Sequence, residues 1–408
     1  MTTTETATEP SWIAPGEQGF LVGEKLYLRA PEAGDANYAL AWHPSPYPII
    51  RQRAEKILKE EFPKDGDKRL VHLIACRRSD DIPVGAAAYD TRVRRTAYVK
   101  LHADPTLGDG AAAVKAEILG ILVPWLSAET KKMVVWAELD APTPELLAAA
   151  DAAGMRPAVR LREAIWQNGA RHDQWVYERL HPRWIERLGD SGRGIEQEAA
   201  PRAEVPTSRR VSVPRPAEPA PKQALLVGER VALRMMEPDD GKEITRLLRH
   251  ETDVEWAGGR WIASSQQFAR WYEEAVEKDP PAELNLAVIL RQSGALIGVM
   301  ELIDIDLFHR TAETGSVLYL PEHRGQGLGS EAKLLLLEFA FDHLGLHMVR
   351  SFVDSYNPRS QAALRKQGYR DAGRLQWTDQ TDEGFAHAVL FDLLASEWRA
   401  RVNRADES

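Results

Sequence analysis

Apolar and polar positions alternate, cluster and recur along the second half of the chain so as to lay out a run of short elements. Alternation over 230–235, 285–291, 296–304 and 311–320 predicts strands, the second and third joined by a turn at QSGA. Between the first two strands, helices are predicted near 239–249 and 264–277. Phe268, Trp271, Tyr272 and Val276 fall there at helical spacing. A glycine-bearing loop, HRGQGLGSEA (323–332), opens a helix running to about Leu344. Then come a strand at 348–354, a helix from Ser360 to Gln367 closed by Gly368, and strands at 369–377 and 385–393. Helices gathered around a mixed, largely antiparallel sheet predict an α/β or α+β domain.

The same phrases occur earlier. LVGEKLYLR (21–29) matches LVGERVALR (226–234), an offset of 205, and VYERLHPRW ending at Trp184 parallels LFDLLASEW ending at Trp398, an offset of 214. So long a period means two copies of a whole domain. The stretch 191–223 carries Pro201, Pro206, Pro214, Pro216, Pro219 and Pro221 and little to bury, which predicts a semi-rigid tether. The expected organisation is a tail over 1–19, a first domain over 20–190, a linker over 191–223 and a second domain over 224–402, with an intramolecular pseudo-dimer as a further expectation.

Composition narrows the function classes. A net charge of −9 removes the electrostatic basis for phosphate-backbone binding, so nucleic acid is not an expected partner. One cysteine, Cys76, rules out an internal disulfide framework and a cysteine-based metal cluster, and fits a reducing compartment. The histidines show no ligand spacing, so no metal is implied. MTTTETATEPSWIAPGEQG lacks a basic and an apolar region, and the longest apolar run, LLLLEFAF, is far short of a membrane span. A cytoplasmic protein without a membrane partner is expected.

Three glycines in five positions, Gly325, Gly327 and Gly329, leave backbone amides uncovered at a helix start, an arrangement that suits an anion. A Walker A loop needs Gly-Lys-Ser/Thr after its second glycine, and a dinucleotide fingerprint needs a glycine where Ser330 stands. Neither is present. What remains is a pyrophosphate gripped by successive amides beside the helix N-terminus, with Arg324 as a cation.

RTAETGSVLYLPEHRGQGLGSEA followed by VDSYNPRSQAALRKQGYRDAG resembles the GNAT superfamily of N-acetyltransferases, and within it the RimJ/RimL-like ribosomal-protein N-terminal acetyltransferases, over residues 225–400. The resemblance implies acetyl-CoA as donor, with its pyrophosphate on Arg324, Gly325, Gln326, Gly327, Leu328 and Gly329, beside Ser330. It places the pantetheine arm between strands ending near Leu320 and starting near Met348, against Asn357. It implies Glu313 as general base, and an amide near Leu318 as the polarising donor to the thioester carbonyl. The tyrosine many relatives carry four residues before the second-half glycine is replaced here by Leu364, and Ser360 matches the serine the RimL-like branch offers as proton donor; Ser is equally suited to capping that helix. Trp256, Arg260 and Trp261 fall on the connection expected to line the acceptor pocket.

Aligned on Gly154 and Gly368, the first half has lost this set: Thr143 stands for Asn357, Leu146 for Ser360, Tyr98 for Glu313 and Leu107 for Arg324. Its loop keeps Gly108 and Gly110, but Ala112 replaces Gly329 and Asp109 brings a negative charge. The expectation is an acetyl-CoA-dependent N-acyltransferase working through its second half on a primary amine, either a protein N-terminus or a small molecule such as an aminoglycoside. The reading from another class is a CoA-responsive regulatory protein without turnover.

Overall fold

The structure, a computed structural model, describes residues 19–91, 95–189, 211–212, 223–250, 264–276, 279–381 and 384–403. It divides into two compact units: Met1–Pro157 with Trp175–Gly192, and Ala158–Gln174 with Arg193–Ser408. The hairpin 158–174, expected within the first domain, thus groups with the second unit.

The first unit carries β1 (Leu26–Arg29), α1 (Ala39–Trp42), α2 (Arg51–Lys56), α3 (Phe62–Asp67), β2 (Leu70–Arg77), β3 (Pro83–Asp90) and β4 (Thr96–Ala103). After them come α4 (Gly110–Ala128), β5 (Val134–Asp140), α5 (Pro144–Ala152), the start of β6 (Arg156–Gln167), the end of β7 (Ala170–Leu180) and α6 (Pro182–Leu188). β1 to β4 pair antiparallel in sequence order, and β4 and β5 run parallel from Thr96↔Val134. α4 is long and apolar enough to cross a membrane by length and composition alone. In this unit it packs as a core helix, burying Ile118, Leu119, Leu122, Val123 and Leu126 beneath the sheet.

The second unit runs through β8 (Val211–Ser212), β9 (Leu226–Val227), β10 (Val231–Met235), α7 (Asp240–Leu248), α8 (Ser265–Val276), β11 (Leu284–Leu290), β12 (Leu296–Asp306) and β13 (Thr311–Leu318). It continues with α9 (Leu328–Glu338), β14 (Met348–Asp354), α10 (Pro358–Gln367), β15 (Arg370–Thr381), β16 (Gly384–Leu394), α11 (Ala395–Arg401) and β17 (Val402–Asn403). β9 to β13 pair antiparallel in sequence order, β13 and β14 are parallel, and β16 lies between β14 and β15, antiparallel to both. The expected mixed α/β sheet flanked by helices is what forms.

Alternation along these strands gives the sheet two apolar faces. One buries Met300, Leu302 and Ala312 against Leu328, Ala332, Leu335 and Leu336 of α9. The other buries Ala287 and Val299 against Ile244 and Leu247 of α7 and Phe268 and Tyr272 of α8. Glu301, two residues beyond Val299, and Glu313, one beyond Ala312, therefore face the α7/α8 side. The arm 158–174 is held by charge: Arg162 donates to the fully buried Asp392 and to Glu397.

Candidate functional site

The glycine loop forms where the sequence predicted it, and its geometry follows from the residues. Gly325 and Gly327 adopt φ of +74° and +84°, a region that costs any residue with a Cβ about 1–2 kcal/mol. Gly327 is the N-cap of α9, and Leu328 closes the helix start onto the core. The amides of Gly325, Gln326, Gly327, Leu328, Gly329 and Ser330 meet no acceptor among the described residues; the next one, of Glu331, bonds the Gly327 carbonyl at 3.0 Å. Six open amides at the positive end of an 11-residue helix fit an anionic diphosphate.

Two expectations at this loop change. The Arg324 amide is already bonded to the Pro321 carbonyl at 3.0 Å, so the open run starts one residue later. Its guanidinium turns back to the end of β13, donating to the carbonyls of Leu318 at 2.8 and 3.0 Å and Tyr319 at 3.0 Å. Arg324 fastens the loop to the strand. Leu318 correspondingly offers a carbonyl to that anchor, and the Leu320 carbonyl accepts from His323 in the short turn Pro321–His323.

β13 and β14 pair through Thr311↔Met348, Ala312↔Val349 and Glu313↔Arg350, and there the ladder stops, although β13 continues to Leu318 and β14 to Asp354. Their other edges remain paired, with β12 and β16 respectively. At the fork, Ser351 Oγ donates to the Thr314 carbonyl at 2.9 Å and Thr314 Oγ1 lies 2.8 Å from the hydroxyl of the buried Tyr369. The two strands open towards the loop, in the place the sequence reading gave to the pantetheine arm.

Glu313 is the last paired residue before that opening, with 19% of its side chain exposed. Burial raises its proton affinity above the ordinary carboxylate range, against the pull of Arg350, whose Nε donates to Oε2 at 3.2 Å. Arg350 also reaches Asp304 at 2.9 Å. Glu301 stands in one cross-strand row between Asn285 and Gly315, and burial followed by repulsion from Glu283 raises it too. A carboxylate with raised proton affinity beside the opening of the sheet is suited to taking a proton near neutral pH.

Asn357 is the N-cap of α10, its Oδ1 accepting from the Ser360 amide at 3.1 Å. Ser360 is therefore not the cap: with Pro358 at the first helical position, the serine lies inside the first turn, and its hydroxyl makes no hydrogen bond among the described residues. Leu364 is in the core. Trp256, Arg260 and Trp261 lie outside the described residues.

Sequence reasoning missed several partners. Arg230 donates from Nη1 to the Gln326 carbonyl at 2.8 Å and from Nε to Glu331 at 2.9 Å, placing a second cation at the loop. The buried Glu331 accepts from the amides of Arg230 at 2.7 Å and Val231 at 3.3 Å. Arg350 and Lys333 were likewise unassigned. The one signal in the chain was Glu331 in the first turn of the helix, where an acid is favoured by the dipole alone.

Comparison with known proteins places these features. The Acetyltransferase (GNAT) domain profile matches residues 230–370. The spermidine N(1)-acetyltransferase of Vibrio cholerae serotype O1 is 34% identical over 149 residues, covering 36% of this chain and 84% of its own. A protein named as a ribosomal N-acetyltransferase, YdaF of Bacillus subtilis, is 26% identical over 178 residues, 42% of this chain and 95% of its own. Among solved structures, Vibrio cholerae spermidine N-acetyltransferase in complex with CoA and spermine is 24% identical and covers 42% of this chain and 98% of its own, with a TM-score of 0.38. The protein is an N-acetyltransferase with acetyl-CoA as donor, and the chain belongs to the GNAT acetyltransferase family.

Proposed function

We propose that the second unit, 224–402 in its main span, transfers the acetyl group of acetyl-CoA to a primary amine on the α7/α8 side of its sheet. The observation that carries this is the run of six open amides at the head of α9, beside a sheet that opens next to Glu313. Acetyl-CoA supplies the activated acyl group. The loop amides 325–330, with Arg230 and Arg324 fixing the loop, bind the diphosphate. Glu313 takes the proton from the incoming ammonium, and burial makes it a stronger base than an exposed carboxylate. Arg350 limits that effect and aims the carboxylate. The Ser360 hydroxyl, unengaged by the helix cap, gives a proton to the leaving thiolate and regains one from the second proton shed by the attacking nitrogen as the amide forms, and the Asn357 amide group is the polar contact for the pantetheine arm.

The acceptor side is acidic. Glu301, Glu313, Glu283 and Asp304 act on one another there, which favours a cationic amine over a neutral one. Polyamines, a protein N-terminus and an aminoglycoside all meet that description; the RimJ/RimL-like motifs favour the second, the spermidine acetyltransferase relatives the first. Incubation of the full chain with acetyl-CoA and a panel of spermidine, a peptide with a free N-terminus and an aminoglycoside, read as thiol release, tests the proposal. Turnover that falls with Glu313→Gln is expected; tight CoA binding without turnover on any amine would instead favour a regulator.

The first unit is proposed to be a copy of this domain without donor binding. Support comes from the order β1 to β5, which matches β10 to β14, including the parallel last pair. In each, a carboxylate on the helix after the fourth strand accepts from two amides at the first strand: Glu117 from Lys25 and Leu26, Glu331 from Arg230 and Val231. Thr143 and Asn357 cap the following helix alike. Matching Glu117 to Glu331 revises the loop alignment. α4 starts seven residues before Glu117, whereas α9 starts three before Glu331. A turn of helix takes the place of the bare loop, and Lys115, not Ala112, stands where Gly329 does. Burial lowers Lys115, with Asp140 opposing.

A further inference from the structure

Lys333 lies on α9 among leucines, is 2% exposed, and has a use that neither the donor loop nor the proton transfer accounts for. Its Nζ donates to the Gly315 carbonyl at 3.2 Å, two residues past Glu313. Gly315 has no side chain and pairs directly with Glu301. The Glu301 carboxylate lies over it, so close that a Cβ there would collide with Oε2. The Glu301 carboxylate makes no hydrogen bond among the described residues, and beside it the Asn285 Oδ1 is buried without a partner. One amine thus reaches the sheet at the place where two carboxylates of the amine side converge.

A lysine fully enclosed by aliphatic side chains is costly and is commonly tolerated only with charge partners. The charged groups that act on Lys333, from across the sheet, are Glu301 of β12 and Glu313 of β13. Behind them stand Glu283, acting on Glu301, and Asp304 and Arg350, acting on Glu313. Burial pushes the Lys333 ammonium down to about 7, with Glu301 and then Glu313 opposing.

We propose that Lys333 is a positioning residue of the amine site: anchored on the Gly315 carbonyl, it sets the shared charge of Glu301 and Glu313, so that one carboxylate is ready to take a proton while the other stays to hold a cation. The proposal rests on the reading of Glu313 as base and adds a residue to it. When Lys333 carries its proton, both carboxylates are favoured in their charged forms; when it loses the proton, the pair holds its own proton more tightly. The group lies below the sheet and acts through Glu313.

The test is a carboxyl titration followed by NMR on full-length protein labelled with 13C-glutamate, with Glu301→Gln and Glu313→Gln to assign the two signals. In Lys333→Met, of similar length and without charge, the Glu313 midpoint is expected to rise by about one unit or more, and Lys333→Arg to bring it back towards wild type. In wild-type protein labelled with 13C-lysine, the Lys333 Cε signal is expected to show an inflection shared with Glu313, which needs no variant to fold. A midpoint unchanged in folded Lys333→Met, or a Lys333 signal that titrates without any inflection in common with Glu313, overturns the proposal. With spermidine as the probe amine, the acid limb of kcat/KM is expected to move with the Glu313 midpoint. Coupled titration without acetylation of any amine would count against the acetyl-transfer reading alone.

Discussion

The Arg324 guanidinium donates to the Leu318 carbonyl from Nε at 3.0 Å and from Nη2 at 2.8 Å, so the loop that carries the open amides is tied to the end of β13. A planar fork bridging neighbouring carbonyls is work that a lysine does poorly. Arg324→Lys is therefore expected to weaken acetyl-CoA binding nearly as much as Arg324→Ala, by roughly tenfold for about 1.4 kcal/mol of lost anchoring. Calorimetric titration checks this. A lysine variant of wild-type affinity would mean that the charge, and not the anchor, matters.

Gly327 caps α9 at φ +84°, and a Cβ built on Gly329 would stand 3.3 Å from Leu318 Cδ1. Gly327→Ala is expected to cost about 1–2 kcal/mol of strain, felt as a lower melting temperature and weaker acetyl-CoA binding together. Gly329→Val adds bulk at the same opening and is expected to weaken donor binding more than it lowers the melting temperature. Thermal unfolding with and without acetyl-CoA separates the two effects.

The shape of the glycine loop was legible in the sequence, and most of the partners around it were not. Gly325 and Gly327 mark positions of positive φ, so the loop follows from a local signal, whereas Glu313, inside β13, and the parting of β13 from β14 were indicated only by the family resemblance. Glu331 was not assignable, because its partners are amides a hundred residues away, brought near only by packing of α9 on β10. Lys333 reads in sequence as one polar residue in a leucine-rich helix, for which solvent exposure is the natural expectation. For Ser360, where proton donor and helix cap were both open, the cap falls away on a rule visible in the chain: Pro358 favours the first helical position, which makes Asn357 the cap. Nothing in the first half signals that 158–174 groups with the second unit, since Arg162 and Asp392 are 230 residues apart.

Glu313→Gln removes the proposed base while keeping its shape. Turnover is expected to fall by roughly 10²- to 10⁴-fold with donor affinity unchanged. In the wild type, burial raises the group despite Arg350, so the acid limb of kcat/KM should lie above the ordinary glutamate value near about 4.3. A limb at or below that value, or a variant of full activity, removes Glu313 from the role.

Asp392 is fully buried between Arg162 and Arg370, with contacts of 2.7 and 2.5 Å. Burial alone would raise its pKa, but the two guanidiniums outweigh burial and hold it below the usual aspartate range. Its stabilisation is therefore present above the unfolded value near about 3.9 and is lost as pH falls through the lower folded value. Asp392→Asn is expected to destabilise by about 3–5 kcal/mol at pH 7, and the difference from wild type should shrink in acid. Denaturant unfolding at pH 7 and pH 3 tests this; an equal deficit at both would contradict it.

The most direct test is a crystal structure of the full chain with acetyl-CoA. The account predicts one donor per chain, its diphosphate within hydrogen-bond distance of the amides of residues 325–330 and its acyl end in the opening between β13 and β14. A donor seated instead on the first unit, against residues 104–115, would contradict it.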